Sequence, residues 1–133
     1  MDLDYLLEQA KKAAQQAYSP YSGYRVGAAL LCDNGSIYTG CNVENASYSL
    51  TICAERNAVF KAVSDGQRDF SAIAIYVDSE EIFPPCGACR QVLAEFNPRM
   101  QILYANRRGN VLSDLETLLP QAFNLQEDEP GNF

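Results

Sequence analysis

Two short stretches of this sequence carry residue types that do chemistry. The first is Cys53-Ala54-Glu55-Arg56, and the second is Pro85-Cys86-Gly87-Ala88-Cys89-Arg90. Cys86 and Cys89 are three positions apart, so on a helix both sulfurs project to the same side. Proline is favoured in the first turn of a helix, so Pro85 predicts a helix that begins at or near Cys86. Cys53 similarly opens a predicted helix.

Three thiolates and one carboxylate in this pattern predict a metal centre. Zinc with three protein ligands keeps a fourth position open, as catalytic sites do, whereas four thiolates make a closed structural site. Glu55 lies within one helical turn of Cys53, and a carboxylate beside an open zinc position can accept a proton from water. Helix N-termini lower thiol pKa values. Arg56 and Arg90 are close enough in sequence to offset the negative charge of such a centre.

A Cys-x-x-Cys pair alone is equally typical of a redox site or a structural zinc site. A zinc-stabilised or redox-active module that binds partners without catalysis therefore remains an alternative at this point. Cys32 and Cys41 lie in apolar, strand-like runs, and we interpret them as buried apolar residues and not as ligands.

The composition excludes several classes of site. The chain has 133 residues, which predicts a single domain over 1–133. It contains no histidine, which excludes Ser-His-Asp and Cys-His nucleophilic sites and leaves cysteine and carboxylates as metal ligands. Five cysteines, an odd number, argue for metal or redox use over a disulfide framework.

The charge and hydropathy indicate location and partners. The formal net charge of −7 would repel a nucleic acid over a Debye length of about 10 Å, so we expect a small, uncharged substrate. No apolar run is long enough for a membrane span. The acidic N-terminus lacks the basic segment of a signal peptide, and we expect a cytoplasmic protein that binds no membrane.

The pattern of apolar residues predicts an α/β fold. After an N-terminal helix and a β-hairpin turning at Asp33-Asn34-Gly35, helices alternate with strands, which favours a partly parallel sheet with helices on both faces. A polar, irregular stretch over 42–51 is predicted to be a functional loop. The acidic tail over about 124–133 is predicted to be disordered in its segment 126–131. The predicted helices are 2–17, 53–63, 86–96 and a short one before Pro120, and the predicted strands are 26–32, 36–41, 72–77 and 101–105.

The residues around the cysteines resemble a known family. The zinc deaminases share a His-x-Glu and Pro-Cys-x-x-Cys signature, and here Cys53 stands in the histidine position. The chain resembles the short, homotetrameric, zinc-dependent cytidine deaminases over almost its whole length. The segments that carry this resemblance are 27–29, 41–48, 53–56, 85–92 and 118–123.

The resemblance implies a three-layer α/β/α fold with a five-stranded mixed sheet. It implies one zinc ion per subunit, held by Cys53, Cys86 and Cys89, with Glu55 as the proton shuttle. The implied reaction is hydrolytic deamination of cytidine and deoxycytidine to uridine and deoxyuridine in pyrimidine salvage. The implied assembly is a homotetramer whose pockets are shared between subunits.

The resemblance also implies a set of substrate contacts. Asn42 and Glu44 match the ribose-binding pair, and Tyr24 stands where the family usually has a stacking phenylalanine, which adds a hydroxyl that needs a partner. Taken singly, each residue could equally be a solvated loop residue or a packing aromatic. Tyr48 and Phe123 would serve the pocket of a neighbouring subunit, Tyr21 would lie near subunit contacts, and Arg56 would neutralise charge near zinc. The implied substrate-binding residues are Tyr24, Asn42, Glu44, Tyr48, Ala54 and Phe123.

Two further substrates remain as alternatives. Blasticidin-type deaminases share the zinc motifs but act on a cytosine-bearing antibiotic, and the Asn42-x-Glu44 pair favours an ordinary nucleoside instead. A polynucleotide editor is disfavoured by the acidic balance of the chain.

Overall fold

The computed structural model describes residues 2–125; Met1 and the segment 126–133, with the predicted disordered tail, lie outside the described residues. The helices are α1 Leu3–Ala14, α2 Ala54–Ser64, α3 Gly87–Phe96 and α4 Leu115–Leu118, with a 3₁₀ turn at Tyr48–Leu50. The strands are β1 Val26–Cys32, β2 Ile37–Cys41, β3 Phe70–Val77, β4 Gln101–Ala105 and β5 Asn110–Asp114. Between residues 2 and 125, no helix combines the length and the apolar character that a membrane span requires.

The strands form one mixed sheet in the order β2-β1-β3-β4-β5. β1 and β2 are the predicted antiparallel hairpin, and Gly35 at its turn has the positive φ of +91° that glycine adopts without strain. β3 and β4 are parallel and are joined through α3, as alternation of helix and strand predicts. β5 is an antiparallel edge strand and is the fifth strand of the mixed sheet that the resemblance implies.

Helices cover both faces of the sheet, so the predicted three-layer fold is confirmed. On one face, α1 buries Leu6 and Ala10 against Ala29 and Ala74 of the central strands. On the other face, α2, α3 and α4 pack on a larger core. α2 packs its Ala58, Val59 and Ala62, all fully buried, against the sheet, while Phe60 on its outer side keeps 46% of its surface exposed.

Helix boundaries differ from the prediction by one to three residues at several ends, and two of the differences have a structural cause. α1 ends at Ala14 and not at 17, because the backbone of Tyr18 turns away to pair with the 42–44 segment. α3 begins at Gly87 with Cys86 as its N-cap, so Pro85 precedes the cap and does not sit in the first helical turn. The correction leaves both cysteines at this helix terminus, since Cys89 is the third residue of α3.

Gly40 lets α2 approach the sheet closely, and we expect Gly40→Ala to destabilise the protein. A Cβ atom at this position would lie 2.5 Å from the Ala58 backbone nitrogen and 2.6 Å from the Ala54 carbonyl oxygen. Helix backbone cannot move aside cheaply, so we expect a loss of about 1–3 kcal/mol in the free energy of unfolding, measured by urea denaturation.

Gly109→Ala is the matched control for Gly40→Ala. An added Cβ there meets nothing within 4 Å, and the residue has no positive φ. Equal unfolding free energies for the two variants would contradict the close packing of α2 on β2.

Candidate active site

The N-termini of α2 and α3 bring three sulfurs together. Cys53 is the N-cap of α2 and Cys86 is the N-cap of α3, and neither side chain makes a capping hydrogen bond. The Sγ atoms of Cys53 and Cys86 lie 3.8 Å apart. With Cys89, they form a cluster whose sulfur atoms all lie within 4.8 Å of one another. The sulfurs of three residues from two separate motifs are therefore available to one ion.

This donor set fits zinc. Zinc–sulfur bonds of about 2.3 Å in a tetrahedron place neighbouring sulfurs about 3.8 Å apart, which is the Cys53–Cys86 spacing. Cys89 is fully buried, Cys53 is half-buried and Cys86 is exposed. Three thiolates from the protein leave one position of a tetrahedral ion for a small molecule. No disulfide links the cysteines of the described chain.

Arg56 lies against the sulfur cluster, as the resemblance implies. Its Nη2 atom donates to the Cys53 Sγ at 3.5 Å. The guanidinium Nε is buried without a hydrogen-bond partner among the described residues. A partly buried cation beside three thiols compensates the negative charge that metal-bound thiolates carry.

The pKa values of the Cys53 and Cys89 thiols are shifted in opposite directions. Hydrogen bonds from Cys89, Arg56 and Cys86 lower the pKa of Cys53 to about 5, despite the opposing effect of burial. The pKa of Cys89 is raised, chiefly because its thiol donates to Cys53 and because it is buried. A thiolate at the N-terminus of α2 is thus stabilised by its neighbours, and a thiolate is the form that binds metal.

Glu55 lies in the first turn of α2 and is buried, with only 5% of its surface exposed. Burial raises the pKa of its carboxyl to about 7, with the Cys53 thiolate adding to the rise, while its own backbone N–H, the Cys89 thiol and Arg56 oppose it. Since acidic side chains are rarely buried without cause, this carboxyl is a candidate functional group.

A cavity of about 240 Å³ opens in front of Glu55 and the Cys53 sulfur. This volume suits a small molecule, and the wall is largely apolar, as in most small-molecule sites. It contains three of the residues that the resemblance singles out for substrate binding. The cavity is lined by Val26, Asn42, Glu44, Thr51, Cys53, Ala54, Glu55, Ile75, Val77, Phe83 and Pro84.

Asn42 is buried at the cavity wall and is held by the backbone that leads into β1. Its Oδ1 accepts from the Val26 N–H at 2.9 Å, and its Nδ2 donates to the Tyr24 carbonyl at 2.8 Å. An amide has two N–H donors and two acceptor positions, so one of each remains for a ligand. The two backbone bonds set its orientation.

Glu44 is anchored by the loop that follows α1. Its Oε1 accepts from the backbone N–H groups of Tyr21 at 2.9 Å and Ser22 at 3.1 Å, and its Oε2 accepts from the Ser22 hydroxyl. Partial burial raises the pKa of Glu44, but the hydrogen bonds from Ser22 and Tyr21 outweigh it and the net shift is downward. Glu44 is therefore an ionised acceptor at neutral pH.

Tyr24 does not belong to the cavity lining. Its hydroxyl donates to the Glu81 Oε1 at 3.0 Å, which is the partner that the extra hydroxyl needs, and its ring stands edge-on to Phe83. The hydrogen bond to Glu81 raises the pKa of Tyr24, so the phenol stays protonated. Phe83, and not Tyr24, presents an aromatic ring to the cavity.

Tyr48 and Phe123 are the remaining predicted contacts, and both are exposed. Tyr48 has 76% of its surface exposed and Phe123 has 69%. Tyr48 and Tyr21 meet edge to face with ring centres 6.2 Å apart, beside a second depression that shares Glu44 and Thr51 with the cavity. Within this chain neither Tyr48 nor Phe123 reaches the cavity lining.

Arg90 is directed to carbonyl groups and not to the sulfurs, which corrects the prediction. Its Nε donates to the Pro85 carbonyl at 2.7 Å and its Nη1 donates to the Leu118 carbonyl at 2.9 Å. The side chain thereby joins the segment before Cys86 to the end of α4. Its contribution is to hold the metal-binding segment in place.

Sequence reasoning missed the apolar wall of the cavity. Val26 and Val77 are paired neighbours where β1 begins and β3 ends. Phe83 and Pro84 come from the loop after β3. The general preference of α/β proteins for binding ligands beyond the carboxyl ends of strands is a signal that points to the end of β3. The pattern does not predict which side chains of the loop turn inward.

Known proteins resemble this chain in both sequence and structure. The family model named cytidine and deoxycytidylate deaminase zinc-binding region matches residues 1–105 of this sequence. A cytidine deaminase of Sporosarcina psychrophila is 52% identical over 129 residues, which cover 96% of this chain and 95% of that protein. The crystal structure of a cytidine deaminase from Burkholderia pseudomallei superposes with a TM-score of 0.88 at 44% identity, covering 92% of this chain and 100% of that one.

A relative that is named as a different deaminase is less similar to this chain in sequence. The blasticidin-S deaminase of Bacillus cereus is 31% identical over 123 residues, 86% of this chain and 87% of that protein. The match of the family model to most of the chain, a near full-length relative at 52% identity and the three-sulfur cluster agree with one another. The chain is therefore a member of the cytidine and deoxycytidylate deaminase zinc-binding family.

Proposed function

We propose that this protein is a zinc-dependent cytidine deaminase that hydrolyses cytidine and deoxycytidine to uridine and deoxyuridine with release of ammonia. The observation that carries the proposal is the buried Glu55 carboxyl, which shares a small cavity with the Cys53 sulfur of the three-cysteine cluster. The family and the near full-length relatives support it.

In this proposal Cys53, Cys86 and Cys89 hold one zinc ion. Bound zinc supplies a Lewis acid that makes water a stronger nucleophile near neutral pH. Glu55 accepts a proton from the attacking water and delivers it to N3 of the cytosine ring. It then moves a second proton, from the hydroxyl that water has added at C4, to the departing amino nitrogen. The oxygen of water becomes the C4 carbonyl, and the amino group leaves as ammonia.

The other residues bind and orient the nucleoside. The apolar strands and Phe83 enclose the base and exclude bulk water, which strengthens every electrostatic interaction in the cavity. The free donor and acceptor of Asn42 and the Glu44 carboxylate would bind sugar hydroxyls. Because Glu44 is an acceptor held by three hydrogen bonds, a phosphate placed beside it would be repelled, which favours nucleosides over nucleotides.

The assembly and setting are part of the same proposal. Tyr48, Leu50 and Phe123 are all more than half exposed, and apolar residues this exposed are typical of a surface that another molecule covers. We infer a homotetramer in which Tyr48 and Phe123 complete a neighbour's pocket, and a single catalytic domain acting in the cytoplasm in pyrimidine salvage. A monomer by light scattering that is fully active would contradict the shared pocket.

The direct test is release of ammonia from cytidine by the purified protein. We expect stoichiometric uridine and ammonia, loss of turnover after zinc chelation and recovery when zinc is returned. Faster turnover of the cytosine-bearing antibiotic than of cytidine would favour the blasticidin alternative. A protein without zinc that forms a Cys86–Cys89 disulfide would favour a redox module instead.

A further inference from the structure

The loop between β3 and the N-cap of α3 supplies part of the cavity wall. It runs over 78–85 and contributes Phe83 and Pro84 to the lining, immediately before the metal-binding Cys86. Its residues 80–84 are exposed, and Phe83 keeps 39% of its surface accessible. An exposed loop of this kind keeps one conformation only if specific contacts oppose its conformational entropy.

The first half of the loop is held by the turn between β4 and β5. Two ion pairs and two hydrogen bonds join the loop to that turn. These are Arg107 Nε to Asp78 Oδ1 at 2.8 Å, Arg108 Nε to Glu80 Oε2 at 2.8 Å, Asn106 Nδ2 to the Glu80 carbonyl at 2.8 Å, and the Arg107 N–H to the Ser79 carbonyl at 3.1 Å. They reach no further along the loop than Glu80.

The second half of the loop is held by Tyr24. The Tyr24 hydroxyl donates to Glu81 Oε1 at 3.0 Å, and its ring meets Phe83 edge to face, with centres 5.2 Å apart and planes at 86°. Edge-to-face contact is a preferred geometry for aromatic pairs. Tyr24 itself lies outside the cavity lining. Its backbone carbonyl accepts from Asn42, and its side chain meets the lining at Phe83.

We propose that Tyr24 and Glu81 are positioning residues that hold Phe83 in the cavity wall, and that this contact sets the affinity for the planar base of the substrate. The inference rests on the proposed deaminase function for its substrate. When the Tyr24–Glu81 hydrogen bond is absent, the loop occupies its binding-competent conformation less of the time, and apparent affinity falls by that fraction. The proton-transferring Glu55 is on α2 and keeps its place.

The test compares Tyr24→Phe and Glu81→Ala with the parent protein on cytidine. Tyr24→Phe keeps the ring and removes only the donor. We expect KM to rise about threefold to tenfold in both variants, the usual net effect of losing one solvent-exposed hydrogen bond, with kcat within twofold. Glu81→Gln should restore KM because its amide oxygen accepts the same bond. Tyr5→Phe, at an exposed position on α1, is the control and should match the parent.

Two double variants separate positioning from a general loss of stability. Tyr24→Phe combined with Glu81→Ala should be no worse than either single change, because both remove the same bond. Tyr24→Phe in a Phe83→Ala background should leave KM unchanged, since Tyr24 acts through Phe83. Additive effects in either pair, or an unchanged KM in Tyr24→Phe, would overturn the inference.

Hydrogen exchange provides a readout that does not depend on turnover. Amide protection over 79–83 should fall in Tyr24→Phe and should stay unchanged in the rest of the fold. Unchanged protection would overturn the anchoring role even in an active enzyme. A parent protein that releases no ammonia from cytidine would instead refute the proposed function, and the exchange result would still decide whether Tyr24 holds the loop.

Discussion

Replacing Glu55 by glutamine is expected to lower kcat on cytidine by a factor of about 10²–10⁴, the usual contribution of a positioned proton-transfer group. Glutamine has nearly the same shape as glutamate but can neither accept the proton of the attacking water nor deliver it to the ring. Because Glu55 is not one of the three sulfur ligands, bound zinc should stay at the parent level, measured by elemental analysis of the purified variant.

Glu8→Gln is the matched control for Glu55→Gln. Glu8 is an exposed carboxylate on α1, on the opposite face of the sheet from α2, and pairs only with Lys11 in the described chain. We expect the control to retain parent kcat and KM. If Glu55→Gln kept more than a tenth of the parent kcat with normal zinc, Glu55 would have no part in proton transfer.

Replacing Cys89 by serine is expected to remove both zinc and activity. Cys89 is fully buried and its sulfur belongs to the cluster that lies within 4.8 Å. A serine hydroxyl is not deprotonated at neutral pH as a zinc-bound thiol is, and a site reduced to two thiolates loses affinity and geometry. We expect less than one zinc per subunit after dialysis, and a kcat/KM at least about 10³-fold below that of the parent.

Cys32→Ala tests whether the effect is specific to the cluster. Cys32 is also buried, but it lies at the end of β1 in the apolar core that α2 and α3 cover. Removing its sulfur should reduce the free energy of unfolding through a small cavity, while zinc and kcat remain at the parent level. Zinc retention by Cys89→Ser, or zinc loss in Cys32→Ala, would contradict the assignment of the ligands.

Much of the fold could be predicted because its signals are local. The apolar periodicity of α1, the Asp33-Asn34-Gly35 turn and the continuous apolar run of β3 each depend on neighbouring residues, and the structure confirms all three elements. The end of α1 was wrong by three residues because pairing of Tyr18 with a distant segment ends the helix early. Local preference cannot anticipate a contact with a segment so far along the chain.

Some features of the candidate site could also be predicted from local sequence, and others could not. Cysteines at the N-caps of two helices, with a carboxylate in the first turn of α2, follow from spacing along the chain and from helix geometry. The engagement of Asn42 with the backbone of Tyr24 and Val26, and the use of Arg90 on two carbonyl groups, do not. Both are hydrogen bonds whose partners are chosen by the packing of separate elements.

The sequence by itself determined the chemistry of this protein: thiolate ligands, a nearby carboxylate, no imidazole and an α/β frame to carry them. The tertiary structure decided which surfaces meet that chemistry, including the inward turn of Phe83, the contact of Tyr24 with Glu81 and the depth at which Glu55 is buried. The physical reason is that spacing along a helix depends on bond geometry over one turn. A cavity wall, in contrast, depends on strand order, on register and on loops that pack only when the whole chain has folded.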